Sequence, residues 1–215
     1  MSMRWKGGFI QTWFNPLSSG AGWTRYSGAW TMQSQMQAVS AGTWPIISPP
    51  GLYSWGNNTS GQLGLGNTTN YSSPKQVGAL TNWSSVSCGQ YYSVSIKTDG
   101  TLWSWGRNDY GQLGLNNITY YSSPKQVGAL TTWSFVACGY AHIVSIKTDG
   151  TLWAWGRNNP YGQLGLGNIT NYSSPKQVGA LTNWSSVSCG AAHTASIKTD
   201  GTLWAWGSNG YGELG

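Results

Sequence analysis

The sequence predicts an all-β fold: a β-propeller of four-stranded antiparallel blades, incomplete at about three repeat units, behind a mostly irregular N-terminal segment. Three observations predict it. The pair Trp-Gly recurs at Trp55, Trp105, Trp155 and Trp206, a period of about fifty residues. Each full unit holds four short strand-like runs. Two of these runs are joined by Asp-Gly, at Asp99-Gly100, Asp149-Gly150 and Asp200-Gly201, and Asp-Gly between apolar runs marks a tight hairpin.

The elements follow in order. In the middle unit, 133–138 (WSFVAC) reads as strand A, 142–148 (HIVSIKT) as B, 150–155 (GTLWAW) as C and 175–178 (PKQV) as a short D. The B–C turn is expected to be type I′, with positive φ at both central residues. Strand A is expected innermost and D outermost, with Gly89, Gly139 and Gly190 near the axis, where backbones crowd. Blades stack face to face. Trp103, Trp105, Trp153 and Trp155 are therefore expected between blades, with Ala154 and Ser145 letting the neighbouring sheet approach. Residues 1–50 do not repeat and form a separate N-terminal segment, with one short helix starting near Thr31 and a possible anchoring or capping role. The repeats occupy 51–215, in units near 52–101, 102–151 and 152–202 and a partial unit at 203–215. Two complete blades, at 83–128 and 133–179, are expected between partial ones. Ring closure then needs further repeats or another copy of the chain.

Composition excludes several classes. Charged residues are 7% of the chain, against about 25% in an average protein. With 15 Trp, 12 Tyr and 31 Gly this describes aromatic strands and tight turns, not disorder. The net charge of +6 is dispersed, so no specific nucleic-acid binding is expected. There is neither an apolar run long enough for a membrane span nor a signal-peptide core. Cys88, Cys138 and Cys189 sit at one repeat position and read as small buried side chains rather than disulfides.

The pattern LWSWGRNDYGQLG…SSPKQVGAL…VACGYAHIVSIKTDG resembles the regulator of chromosome condensation repeat, and residues 52–215 carry it throughout. The resemblance implies a propeller but no single activity, since the family includes nucleotide-exchange factors, chromatin binders and enzyme inhibitors. A second resemblance joins WKGGFI, FNPL and SGAWTMQSQMQAVSAGTWP to the leaders of marine phage virion proteins. It implies a virion appendage or host-surface adhesion protein, located in the phage particle and touching other virion proteins. The alternatives are a cytoplasmic regulator of the exchange-factor type, or a lectin-like or inhibitor-like binder.

No enzyme is expected. Asp99, Asp149 and Asp200 are turn residues, and Asp109 and Glu213 lie in different units, so no paired carboxylates form. No cofactor or metal is expected either. His142 and His193 follow Cys138 and Cys189 in CGxxH, but Tyr92 takes the place of His in the first unit, so a packed, hydrogen-bonded histidine is the reading. The repeated Lys75, Lys125, Lys176, Lys97, Lys147 and Lys198 read as a solvated rim.

Differences between units point to a binding face. In an up-down-up-down blade the A–B and C–D connections share one end of the sheet. The opposite end is nearly uniform: TDGT in every B–C turn, and GALTNW or GALTTW in every D–A turn. The A–B and C–D connections vary, and Arg107 and Arg157 align with Asn57 and Ser208. Tyr91, Arg107, Tyr110, Tyr140, Arg157 and Tyr161 are the expected contact patch for a protein or a cell-surface glycan, being of types enriched in binding hot spots.

Overall fold

The computed structural model describes residues 51–215. The described strands are β1 (Tyr53–Gly56), β2 (Tyr71–Gln76), β3 (Trp83–Cys88), β4 (Tyr92–Lys97), β5 (Leu102–Gly106), β6 (Tyr121–Gln126), β7 (Trp133–Cys138), β8 (His142–Lys147), β9 (Leu152–Gly156), β10 (Tyr172–Gln177), β11 (Trp184–Cys189), β12 (His193–Lys198) and β13 (Leu203–Gly207). All pairings are antiparallel between chain neighbours. They give two four-stranded blades, β3–β6 and β7–β10, flanked by the two-stranded β1–β2 and the three-stranded β11–β13. The helix expected near Thr31 lies outside the described residues.

Strand A is one edge of each blade and D the other. β7 packs on β3 and β4, and β11 packs on β7 and β8, so successive A strands meet. The two cores accordingly lie between blades. One joins Tyr92, Val94 and Leu102 to Trp133, Val136 and Trp155. The other joins Val144, Ile146 and Leu152 to Trp184 and Val187. Strand B is buried on both faces in both complete blades. Its serines fit there because each hydroxyl finds a backbone carbonyl, as Ser145 does on Phe135 O at 2.6 Å. Ala154 and Ser145 are fully buried, as their size predicts.

Several details differ from expectation. Strand D starts at Tyr172 rather than Pro175. Its pairing with β9 shifts register between Tyr172 and Lys176, and an edge strand with a bulge tolerates the proline between them. The B–C turn is not type I′. Gly100 has φ 76° but Asp99 is not in the positive-φ region. Gly100 N donates to Lys97 O at 2.9 Å, and Lys97 N to Thr101 O at 3.0 Å. This is a three-residue loop in which a left-handed glycine forms the bulge. The aspartate serves the strand instead: Thr101 N and Thr101 Oγ1 donate to its Oδ1, and Trp103 Nε1 donates to Thr101 Oγ1. These bonds, the Thr101 hydroxyl first, hold the Asp99 carboxyl below its ordinary range. Asp149 and Thr151 repeat the arrangement.

The tryptophans also divide. Trp105 and Trp155 are buried, whereas Trp103 and Trp153 are half-buried. On strand C the two positions face the same way but at different depths. Both rings lie against Trp83 or Trp133, but only the inner one enters the interface with the preceding blade. The lysines at the end of strand B are not an open rim: Lys97, Lys147 and Lys198 are 6%, 8% and 8% exposed. Each ammonium sits over two indoles, Lys147 at 3.6 Å from the Trp153 centroid and 4.9 Å from that of Trp133. Cation–π attraction to a tryptophan pair makes burial acceptable there. Lys75, Lys125 and Lys176 lie over Tyr71, Tyr121 and Tyr172. Cys88 departs too. It is exposed, whereas Cys138 and Cys189 are partly covered and donate to Ser87 O and Ala137 O of the preceding A strand. Among the described residues the sheet before β3 holds strands C and D, and none of them is an A strand that would cover Cys88.

Candidate functional site

The variable end of the blades is built on rigid loops. Asn108, fully buried, organises the C–D loop: its Oδ1 accepts from Leu113 N at 2.9 Å, and its Nδ2 donates to Asn117 O and Thr119 O. Gln112 holds the tip through Tyr110 N and, through its carbonyl, accepts from Trp155 Nε1 of the next blade at 3.0 Å. Trp105 makes the same bond to Gln62 O, and Trp206 to Gln163 O. The WGxN and GQLG signatures thus encode one device that ties each loop to the following blade.

The A–B connections are fixed as firmly. Tyr92 and His142 open strand B and are buried, so they belong to the core rather than to the loop surface. Tyr92 Oη lies 2.9 Å from Gly139 O and 2.7 Å from His142 O of the next blade, and its single O–H is shared between them. Thr194 Oγ1 donates to Gln163 O, so His142 Nε2, 3.1 Å away, donates to Thr194. Burial pushes the His142 imidazole down to about 4, with His193 adding to the effect, and keeps it neutral. The His142 ring also explains its glycine: a Cβ on Gly139 would lie 2.2 Å from the ring and 2.7 Å from Gly190 O. Burial likewise pushes the Cys189 thiol up to about 12.

On this frame the structure places five of the six expected contact residues together. Tyr91, Arg107, Tyr110 and Tyr140 line one shallow cleft. The Arg107 guanidinium lies 5.6 Å from the Tyr91 ring centroid, and that of Arg157 lies 5.1 Å from the Tyr110 centroid. The pairing alternates for a reason legible in the repeat. Ala141 stands where Tyr91 does, so Arg157 has no tyrosine at that position of its own blade and lies over Tyr110 of the preceding one. Tyr140 is 41% and Tyr161 52% exposed. Tyr161 rides on the lengthened loop 159–162, outside the cleft.

Sequence reasoning missed Tyr120. Its hydroxyl donates to Asp109 Oδ1, and Arg107 Nε donates to Asp109 Oδ2. Burial alone would raise the Asp109 carboxyl, but the bonds from Tyr120 and Arg107 outweigh it and hold it low. The available clue was a paired departure. Asn70 and Asn171 occupy the position of Tyr120, and each accepts from the backbone N of Asn58 or Asn158. Only the unit with Asp109 exchanges that asparagine for tyrosine. Glu213, the other unassigned acid, accepts from Tyr211 N.

The opposite, uniform end is occupied by packing. Thr98 N donates to Asn82 O at 2.9 Å, and Trp133 N to Gly100 O at 3.2 Å. A Cβ on Gly100 would lie 2.1 Å from Thr131 O of the next linker. Such contacts recur between Gly150 and the 182–184 linker, which constrains TDGT and GALT at both of these junctions. No group of three His, Cys, Asp or Glu residues that could hold a metal occurs among the described residues.

These blades and their inter-blade ties define a repeat protein of propeller type. The family model of the regulator of chromosome condensation (RCC1) repeat matches residues 51–96, 99–146 and 149–197, and the chain belongs to that family. The ultraviolet-B receptor UVR8 of Arabidopsis thaliana is 36% identical over 188 residues, which are 84% of this chain and 31% of the receptor. The probable E3 ubiquitin-protein ligase HERC6 of Homo sapiens is 39% identical over 169 residues, 76% of this chain and 12% of the ligase. Human WBSCR16 superposes with a TM-score of 0.65 at 26% identity, over 74% of this chain and 43% of that one. Yeast RCC1 (Prp20), solved bound to Kap60, superposes at 0.64 and 22% identity, over 74% and 40%. The chain therefore spans less than half the length of these relatives.

Proposed function

We propose that this chain is a non-enzymatic protein-binding module of the propeller-regulator kind, and that it contacts its partner through the variable loop face. The observation that carries this is the interleaved Tyr91–Arg107 and Tyr110–Arg157 stacking on loops whose backbones are locked. Preordered aromatic and arginine side chains lose little entropy on binding, and such residues dominate interface energies. Relatives offer a parallel: Prp20 is described with Kap60, and with Gsp1p and histones. They favour the regulator reading over the virion-appendage, adhesion and glycan readings, to which they add nothing. The phage-like leader lies in residues 1–50, outside the described residues. The open sheet faces, with Trp55 59% and Leu203 69% exposed, are consistent with completion by further repeats or another copy.

The test is affinity capture with the full chain, followed by titration of the captured partner. Tyr110→Ala and Arg157→Ala should each weaken binding tenfold or more, at about 1.4 kcal/mol per factor of ten. Thr98→Ala and Thr148→Ala, exposed at the uniform end, should leave it unchanged. The reverse pattern would place the interface on the other face. Binding of an immobilised glycan array, lost with the same tyrosines, would replace the protein partner by a carbohydrate.

A further inference from the structure

The groove between the two complete blades, away from the loop cleft, has the makings of a small-molecule site. Its volume is about 420 Å³, within the range of ligand pockets. Leu115, Val127, Leu130 and Pro175 supply apolar walls, and Trp133 and Trp153 flat aromatic ones. Two polar features stand out in this lining. Lys147 is more than nine-tenths covered as a residue, its ammonium lies over the two indoles, and no carboxylate among the described residues comes within ion-pair distance of it, Asp149 acting only from further off. The Trp133 indole N–H is buried with no hydrogen-bond partner among the same residues, a feature it shares with Trp83 and Trp184 of the sister units. A buried donor without an acceptor is costly, and the lysine offers a cation already held in place by the two indoles.

One backbone position sets this groove apart. Asn116 lines it at φ 59°, where Gly66 and Gly167 hold the equivalent left-handed positions at 76° and 70°. Asparagine is the side-chain-bearing residue that takes this conformation most readily, so the exchange for glycine costs little backbone energy. Its side chain adds an amide to a wall that is bare in the sister units. The Lys–Trp cage itself recurs at Lys97 and Lys198 and has a structural role in each unit. The amide is peculiar to this groove.

We propose that the groove lined by Lys147, Trp133, Trp153 and Asn116 binds a small carboxylate with a flat apolar body. The anionic head meets the Lys147 ammonium, and the body lies between the aromatic and aliphatic walls. Burial lowers the Lys147 ammonium from its ordinary value, and an anion beside it restores the protonated form.

The probe is 2-naphthoate, with 2-naphthalenemethanol as its uncharged counterpart, titrated into the full chain while the tryptophan indole N–H resonances are followed by NMR. Naphthoate should move the Trp133 and Trp153 signals and saturate below about 1 mM. Lys147→Met, which keeps the stem over the indoles, should weaken it about tenfold or more, as loss of a charge-assisted contact implies. Asn116→Gly restores the residue of the sister units, so folding is preserved, and should weaken binding several-fold. Lys125→Met, on the outer strand, should change nothing. The proposal is overturned if naphthoate fails to move Trp133. It is equally overturned if the alcohol binds as tightly, or if Asn116→Gly, correctly folded, binds with wild-type affinity. None of these outcomes depends on the loop face.

Discussion

Truncating Trp155 to Ala tests the inter-blade core most directly. The ring is fully buried, lies 5.8 Å from the Trp133 centroid, and donates across the blade interface to Gln112 O at 3.0 Å. Removing a buried large aromatic costs about 3–5 kcal/mol through lost transfer energy and the cavity left behind. Gln112 O would also lose its donor, a further cost of roughly 1 kcal/mol. For a unit of this size the sum is a fall in Tm of roughly 8–24 °C, measured by circular dichroism. Trp153→Ala serves as the comparison. That ring is half-buried, and its N–H bonds to Thr151 within the same blade, so its loss should cost clearly less. Trp155→Phe should fall between, since it leaves most of the space filled but removes the hydrogen bond. An unchanged melting curve for Trp155→Ala, or a larger loss for Trp153→Ala, would refute the view that inner tryptophans join the blades.

Further outcomes follow from the inter-blade ties. Tyr92→Phe leaves Gly139 O without the tyrosine's proton and His142 O with only the Gly139 N–H, and should lose about 1–3 kcal/mol in urea unfolding. Gly139→Ala forces a methyl against the His142 ring and Gly190 O, and should cost about 1–3 kcal/mol as overpacking, read as a lower denaturation midpoint. His142 makes stability depend on pH. Its folded pKa of about 4 lies below the ordinary 6.5, so between these values the unfolded chain binds more protons. The contribution is fully present above pH 6.5 and is lost as pH falls towards 4, a swing of roughly 3 kcal/mol. Urea midpoints at pH 7 and pH 4.5 should differ accordingly, and the difference should shrink in His142→Gln. An equal pH slope in that variant would discount the histidine.

The sequence by itself determined the repeat, the four-stranded blades and the two complete units between partial ones. These depend on local patterns: alternation along a strand, glycine at a turn, and a fixed period. It also separated the two ends of the blades, because the uniform turns are held by contacts that every unit shares, as Trp133 N to Gly100 O shows. Tertiary structure decided what those patterns touch. Whether Lys147 is solvated depends on two indoles brought together from strands A and C, and no spacing along one strand reveals that cage. Whether Trp153 or Trp155 enters the core depends on how deep the neighbouring blade reaches. The alternation of arginine partners on the loop face, and the joining of Asp109 to Tyr120, depend on loops that meet only after the chain has folded back along the sheet.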